Sequence, residues 1–165
     1  VEFRQKSMAL LTTGNALIRD LEKFGALGVY VPLEGGGEGR YRRRLRAAGY
    51  ANLYITARGL GDLAAYLTGV HGVRPPHLGK KSNSSGAAVG YIYYLPPLIT
   101  QHLGQLPPKS KGLVLWIIEG HILSDQEVDY LGTLPKLEPR LKVVIERGGD
   151  RTFRWTPLER TLLAS

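Results

Sequence analysis

The sequence predicts a single-domain α/β sandwich, with a mixed, mostly parallel sheet of about five to six strands flanked by helices and closed by an antiparallel C-terminal edge hairpin. Three observations predict it. Short apolar runs ended by Gly or Pro alternate with stretches of helical periodicity, the pattern of βα units. The run Leu113 to Ile118 is apolar throughout, as a strand covered on both faces must be. Gly148-Gly149-Asp150 then offers turn chemistry for the hairpin.

Each element has its own signal. After Thr12 and Thr13, Leu17, Ile18, Leu21 and Phe24 mark one face of a first helix, and Gly25 supplies its stop. Leu27 to Pro32 reads as a strand ended by proline. The Gly-rich connector 34–39 leads to a helix over Arg40 to Ala48, with Gly49 closing it. Leu53 to Ala57 is a second strand and Leu60 to Thr68 a third helix. Gly69 to Gly86 is a long irregular stretch, followed by an internal strand over Val89 to Leu95.

Prolines 96, 97, 107 and 108 bracket a segment with room for one helical turn. Leu113 to Ile118 is the predicted centre of the sheet. Ser124-Asp125-Gln126-Glu127 reads as a capping box, Leu141 to Glu146 as a strand, and Thr152 to Trp155 as its hairpin partner. Thr156-Pro157-Leu158-Glu159 is a second capping box with proline at the first helical position. Residues 1–7, VEFRQKS, precede the sole methionine, Met8, and are expected to be an added leader before one domain over 8–165.

Composition removes several chemistries. There is no cysteine, which excludes disulfides, thiolate nucleophiles and thiolate-held zinc or iron–sulfur clusters. The four histidines, His71, His77, His102 and His121, are dispersed without the i, i+4 spacing of a helical metal site. No apolar stretch approaches the length of a membrane span. No catalytic, cofactor or metal residues are expected in this chain.

Two motifs invite functional readings. Gly59-Leu60-Gly61-Asp62-Leu63-Ala64 fits the dinucleotide fingerprint G-x-G-x-x-G/A. It follows the second strand rather than the first. About 20 positions further on, where a carboxylate should meet the ribose, stand Lys80, Lys81 and Ser82. A structural βα turn is the simpler reading.

The basic helix is the better clue. In RYRRRLRAA, Tyr41, Leu45 and Ala48 can face the core, with Arg40, Arg43 and Arg44 on one outer side and Arg42 and Arg46 on another. Such a face is either solvated or meets an acidic partner, an anionic membrane surface or nucleic acid. Tyr91, Tyr93, Tyr94 and Trp116 lie in apolar strands and are expected in the core rather than as base-stacking platforms.

The segments EGRYRRRLRAAGY, ITARGLGDLAAYLTGVHGVRPPHLGKK, YYLPPL, LPPKSKGLVLWIIEGHILSDQEV and LPKLEPRLKVVIERGGDRTFRWTPLE resemble subunit N of the cyanobacterial and chloroplast NAD(P)H–plastoquinone oxidoreductase. The resemblance runs from Met8 over nearly the whole remaining chain. It implies an accessory, non-catalytic subunit of a photosynthetic complex I, peripheral on the thylakoid membrane, on the hydrophilic arm facing cytoplasm or stroma. That complex passes electrons through iron–sulfur clusters to plastoquinone and couples this to proton translocation. NAD and NADP stand in its name, and ferredoxin is the favoured donor.

The implied partners are the other subunits of the complex, and no nucleic acid is expected. Their docking surface is expected at Arg40, Arg42, Arg43, Arg44 and Arg46, with Lys80 and Lys81 from the long loop. Two competing readings remain: a nucleic-acid-binding module on the basic helix, and a small dinucleotide-dependent enzyme on the glycine turn.

Overall fold

The computed structural model describes residues 14–33, 38–60 and 97–163. Helix α1, over 14–24, precedes β1 (Ala26–Val31), α2 (Glu38–Ala47) and β2 (Tyr50–Thr56), and β2 runs into a 3-10 turn at Ala57–Leu60. Then come α3 (Pro97–Gly104), β3 (Gly112–Ile118), a 3-10 turn at Gly120–Ile122, α4 (Asp125–Leu137), β4 (Leu141–Gly149), β5 (Arg154–Pro157) and α5 (Leu158–Leu163). The strands form one five-stranded sheet in the order β2-β3-β4-β1-β5. Four are parallel, and β5 runs antiparallel to β1 at the edge.

The sheet is covered on both faces. Leu113, Leu115 and Ile117 of β3, with Leu141, Val143 and Ile145 of β4, pack on one side against Val128, Leu131 and Leu134 of α4, Ile99 of α3 and Leu158 of α5. Val114, Trp116 and Val144 point to the other side and meet Leu17 and Leu21 of α1 and Tyr41 and Leu45 of α2. The alternation follows from the period of two along a strand. Each fully buried Leu or Ile contributes about 1.5–3 kcal/mol, so the two layers together hold the sheet.

Local chemistry sets the element ends. Gly25 adopts φ 79 and its N–H donates to the Leu21 carbonyl at 2.8 Å, closing α1. The capping box at α4 forms in both directions, with Glu127 N–H donating to Ser124 Oγ at 3.1 Å and Ser124 N–H donating to Glu127 Oε1 at 2.9 Å.

Several expectations are corrected. Phe24 does not share the buried face of Leu17 and Leu21: the chain reverses at Gly25 directly after it, and Phe24 stands 40% exposed at the rim. Strand β2 begins at Tyr50, before the expected Leu53, and α3 spans eight residues rather than one turn. β3 is internal, but the central position belongs to β4. The expected edge hairpin does not pair β4 with its successor. β4 continues through Gly149, and the following turn carries the chain across the end of β1, where Asp150 N–H donates to Val31 O at 3.0 Å, so β5 pairs with β1.

Asp150 holds that turn by accepting from Arg151 N–H at 2.6 Å and pairing with Arg154, whose guanidinium stacks on Tyr30. Thr156 and Pro157 complete β5, with Pro157 opposite Leu27, so the last helix starts at Leu158 and not at the expected second capping box. Leu60, the expected start of a helix to Thr68, ends the 3-10 turn, and the rest of that helix, the long stretch 69–86, Lys80, Lys81 and the strand over Val89 to Leu95 lie outside the described residues.

Gly112 is the tightest backbone approach in the sheet. It adopts φ 152, and a Cβ there would lie 2.2 Å from the Arg140 carbonyl oxygen, which already accepts from Leu113 N–H. Gly112→Ala should therefore lower the stability by about 1–3 kcal/mol through overpacking. Gly104→Ala at the end of α3, where the added carbon meets nothing within 4 Å, should be neutral or stabilising. Urea denaturation of the two variants checks the pair.

Candidate functional site

Helix α2 is pinned by its apolar side. Leu45 is fully buried, and the Tyr41 ring stacks on Phe153 with centroids 4.1 Å apart and lies edge-on to Trp155 at 6.1 Å. Burial pushes the Tyr41 phenol up from its ordinary range, with the neighbouring Arg40 charge opposing. Gly49 at φ 106 ends the helix and turns the chain into β2. Arg44 and Arg46 in the last turn complement the helix dipole.

The five arginines divide differently from the expected pairs of sides. The Arg42 guanidinium lies over the Tyr54 ring, 3.8 Å from its centroid, and the Arg42 backbone carbonyl accepts from Asn52 Nδ2 at 2.9 Å, tying α2 to β2. Arg44 bonds the Asn15 side-chain carbonyl of α1. Arg40, Arg43 and Arg46 are exposed, and among the described residues none of them has a carboxylate partner. Arg44 thus leaves the outer side assigned to it by the sequence, and Arg46 joins it. Lys80 and Lys81 are not among the described residues.

The carboxylates on this face are already engaged. Trp155 Nε1 donates to Asp20 at 2.9 Å, Tyr50 OH to Glu22 at 2.7 Å, and Trp116 Nε1 to Glu146 at 2.7 Å. Three aromatic donors thus orient three acids, and none of these acids forms an ion pair with an α2 arginine. The geometry leaves a positively charged helix face next to a hydrogen-bonded aromatic layer.

The carboxyl ends of the parallel strands, where open α/β sheets usually bind ligands, are occupied by their own contacts. Glu119, in left-handed backbone at φ 59, pairs with Arg58 at 2.8 Å, joining the ends of β2 and β3. Gly120 packs so closely on β4 that a Cβ would lie 2.6 Å from Glu146 O, and its carbonyl accepts from Arg147 Nη1 at 2.8 Å. A separate cleft of about 210 Å³ opens between the end of α1, α4 and α5. It is smaller than the roughly 300–1,000 Å³ usual for small-molecule sites, and Lys23 and Lys136 on its rim are balanced by Asp129 and Glu159.

Comparison with known proteins decides the family. Residues 8–160 match the family described as NADH-quinone oxidoreductase cyanobacterial subunit N. The chain belongs to this family. A relative from Nostoc punctiforme, named NAD(P)H-quinone oxidoreductase subunit N, is 80% identical over 158 residues, covering 96% of this chain and 100% of the relative. Relatives of the same name from Trichormus variabilis and Trichodesmium erythraeum are 78% and 70% identical, covering 96% and 94% of this chain and 98% and 99% of their own. Among the described residues no helix is long and apolar enough to cross a membrane.

The subunit N relatives carry a nicotinamide nucleotide in their names, and of the glycine turn only Gly59 and Leu60 are described. Arg58, next to Gly59 in the chain, pairs with Glu119. Gly61, Asp62 and Ala64 lie outside the described residues.

What sequence reasoning missed here is long-range. The Asp20–Trp155 bond joins residues 135 positions apart, and the Asn15–Arg44 and Glu22–Tyr50 bonds join residues 29 and 28 apart. No local pattern announces such pairs.

Burial, and then the hydrogen bond and charge of Glu22, hold the Tyr50 phenol well above its ordinary 10.0. The folded state thus keeps a proton that the unfolded chain releases above that pH, and stability falls as pH rises past 10.0. Tyr50→Phe should cost about 1 kcal/mol at neutral pH and lose stability less steeply in the alkaline range. Thermal denaturation of both proteins from neutral to above pH 10.0 measures the difference, with Tyr41 contributing equally to each.

Proposed function

We propose that this chain is an accessory, non-catalytic subunit of the photosynthetic NAD(P)H–plastoquinone oxidoreductase, and that it supports assembly and stability of the hydrophilic arm. Electrons pass from ferredoxin through iron–sulfur clusters in other subunits to plastoquinone, and proton translocation is coupled to that transfer elsewhere in the complex. The subunit sits peripherally on the cytoplasmic or stromal side of the thylakoid membrane. The observation that carries this reading is the charged face of α2 on a subunit N fold: Arg40, Arg43 and Arg46 are exposed without a carboxylate partner among the described residues, while nearby acids are held by Tyr50, Trp116 and Trp155.

Further support comes from residue chemistry. With no cysteine in its 165 residues, the chain offers no thiolate to a cluster. The pairing of Arg58, beside the glycine turn, with Glu119 supports reading that turn as structural.

Disrupting the gene in a cyanobacterium should deplete the assembled complex and its plastoquinone reduction, and restoring the chain should recover both. Native electrophoresis and quinone-reduction kinetics measure this. Undiminished complex with lost turnover would instead point to a catalytic role. Calorimetric titration of the free chain with NADH or NADPH should give no saturable heat. Micromolar binding abolished by Gly61→Asp in a folded protein would overturn the non-catalytic reading.

A further inference from the structure

We infer that Arg40, Arg43 and Arg46 form one contact strip that takes an acidic protein segment, its carboxylates spaced by about one helical turn. The inference deepens the accessory-subunit reading and rests on it for the protein nature of the partner. Successive members of the strip stand three residues apart, about 4.5 Å along the helix axis, and together span about 9 Å. Arginine presents a planar fork that bonds a carboxylate bidentately, so three at this spacing match acids on a facing helix or loop.

The occupant's charge follows from what lies around the strip. Arg42 and Arg44, which alternate with it in sequence, are withdrawn into packing against Tyr54 and Asn15. Asp20, Glu22 and Glu146, the acids of α1 and β4 on this face, are held by Trp155, Tyr50 and Trp116. Among the described residues, none of these acids pairs with Arg40, Arg43 or Arg46, which leaves the three guanidinium groups exposed for an outside carboxylate. Its helix is fixed by Tyr41 and Leu45 below, so the guanidinium groups project from a rigid support.

Two experiments in the intact complex test this. First, Arg40→Glu, Arg43→Glu and Arg46→Glu are combined, with circular dichroism and the melting temperature confirming the fold. Incorporation into the complex should slow on the order of tenfold or more, because reversed charges repel the acidic segment. Incorporation at the normal rate would overturn the strip.

Second, Arg40→Lys, Arg43→Lys and Arg46→Lys keep the charge and add amines that a carbodiimide can couple directly to touching carboxylates. The introduced lysines should cross-link to Asp or Glu of another subunit, identified by mass spectrometry. An assembled complex with no such cross-link, or salt-sensitive binding of RNA or anionic vesicles lost in the triple Glu variant while incorporation stays normal, would overturn it. The broader reading fails separately, through complex abundance that does not depend on the chain, whereas the cross-links report the contact itself.

Discussion

The structure depends on one constraint: β3 has no solvent face. From Gly112 to Ile117 every residue is buried, with Leu113, Leu115 and Ile117 on one side and Val114 and Trp116 on the other. A strand of this kind needs a neighbour at each edge and a helical layer on each face. The first requirement is met by β2 and β4, both parallel to it. Parallel neighbours require long crossovers, and the crossovers supply the helices that meet the second. Helix α2 is one of these, carried from β1 to β2 across the breadth of the sheet. Its position answers the needs of β3, and its outer face is left free for other use.

The layer beneath α2 shows how that freedom is kept. Tyr41, Phe153, Trp155 and Trp116 form a continuous aromatic group, with Phe153 central to it at 4.1–6.5 Å from the others. Burying an indole or phenol leaves an N–H or O–H that needs a partner. Both indoles of the group, and Tyr50 beside it, find a carboxylate: on α1 for Trp155 and Tyr50 and on β4 for Trp116. The aromatic core and the surface acids are therefore linked: satisfying the core fixes where these carboxylates point, and none of them pairs with an α2 arginine.

The regular elements were readable because each is written locally. Gly25 and Gly49 mark helix ends by the backbone conformation they adopt, and Ser124 with Glu127 marks a helix start by reciprocal bonding. The face of α2 was readable too, since Tyr41 and Leu45 fall at helical spacing. The errors arose where tertiary pairing overrode a local signal. Gly148 and Gly149 carry turn chemistry yet extend β4, because Tyr30 and Val31 lie opposite to pair with them. Thr156 and Pro157 resemble a helix start yet finish β5, where Pro157 sits opposite Leu27 at the outer edge of the sheet and the missing N–H is tolerated. The division of the arginines was not readable at all: helical spacing gives an angle, but Tyr54 and Asn15 decide which guanidinium is drawn inward.

That division bears on why the helix holds its charges. Like charges three or four residues apart weaken a helix by about 0.2–0.5 kcal/mol per pair, so a run of five arginines in residues 40–46 is poor helix design for a merely solvated surface. Two of the five offset this by stacking on Tyr54 and bonding Asn15. The remaining three have no such return among the described residues, and their mutual repulsion is borne by the burial of Leu45 and Tyr41. A lysine row would serve solubility with less geometric demand, whereas arginine forks reward a facing carboxylate. A subunit of a larger complex needs a contact that is rigid and separate from its own core. The α2 face has each of these properties, and the two-faced burial of β3 is what makes them compatible.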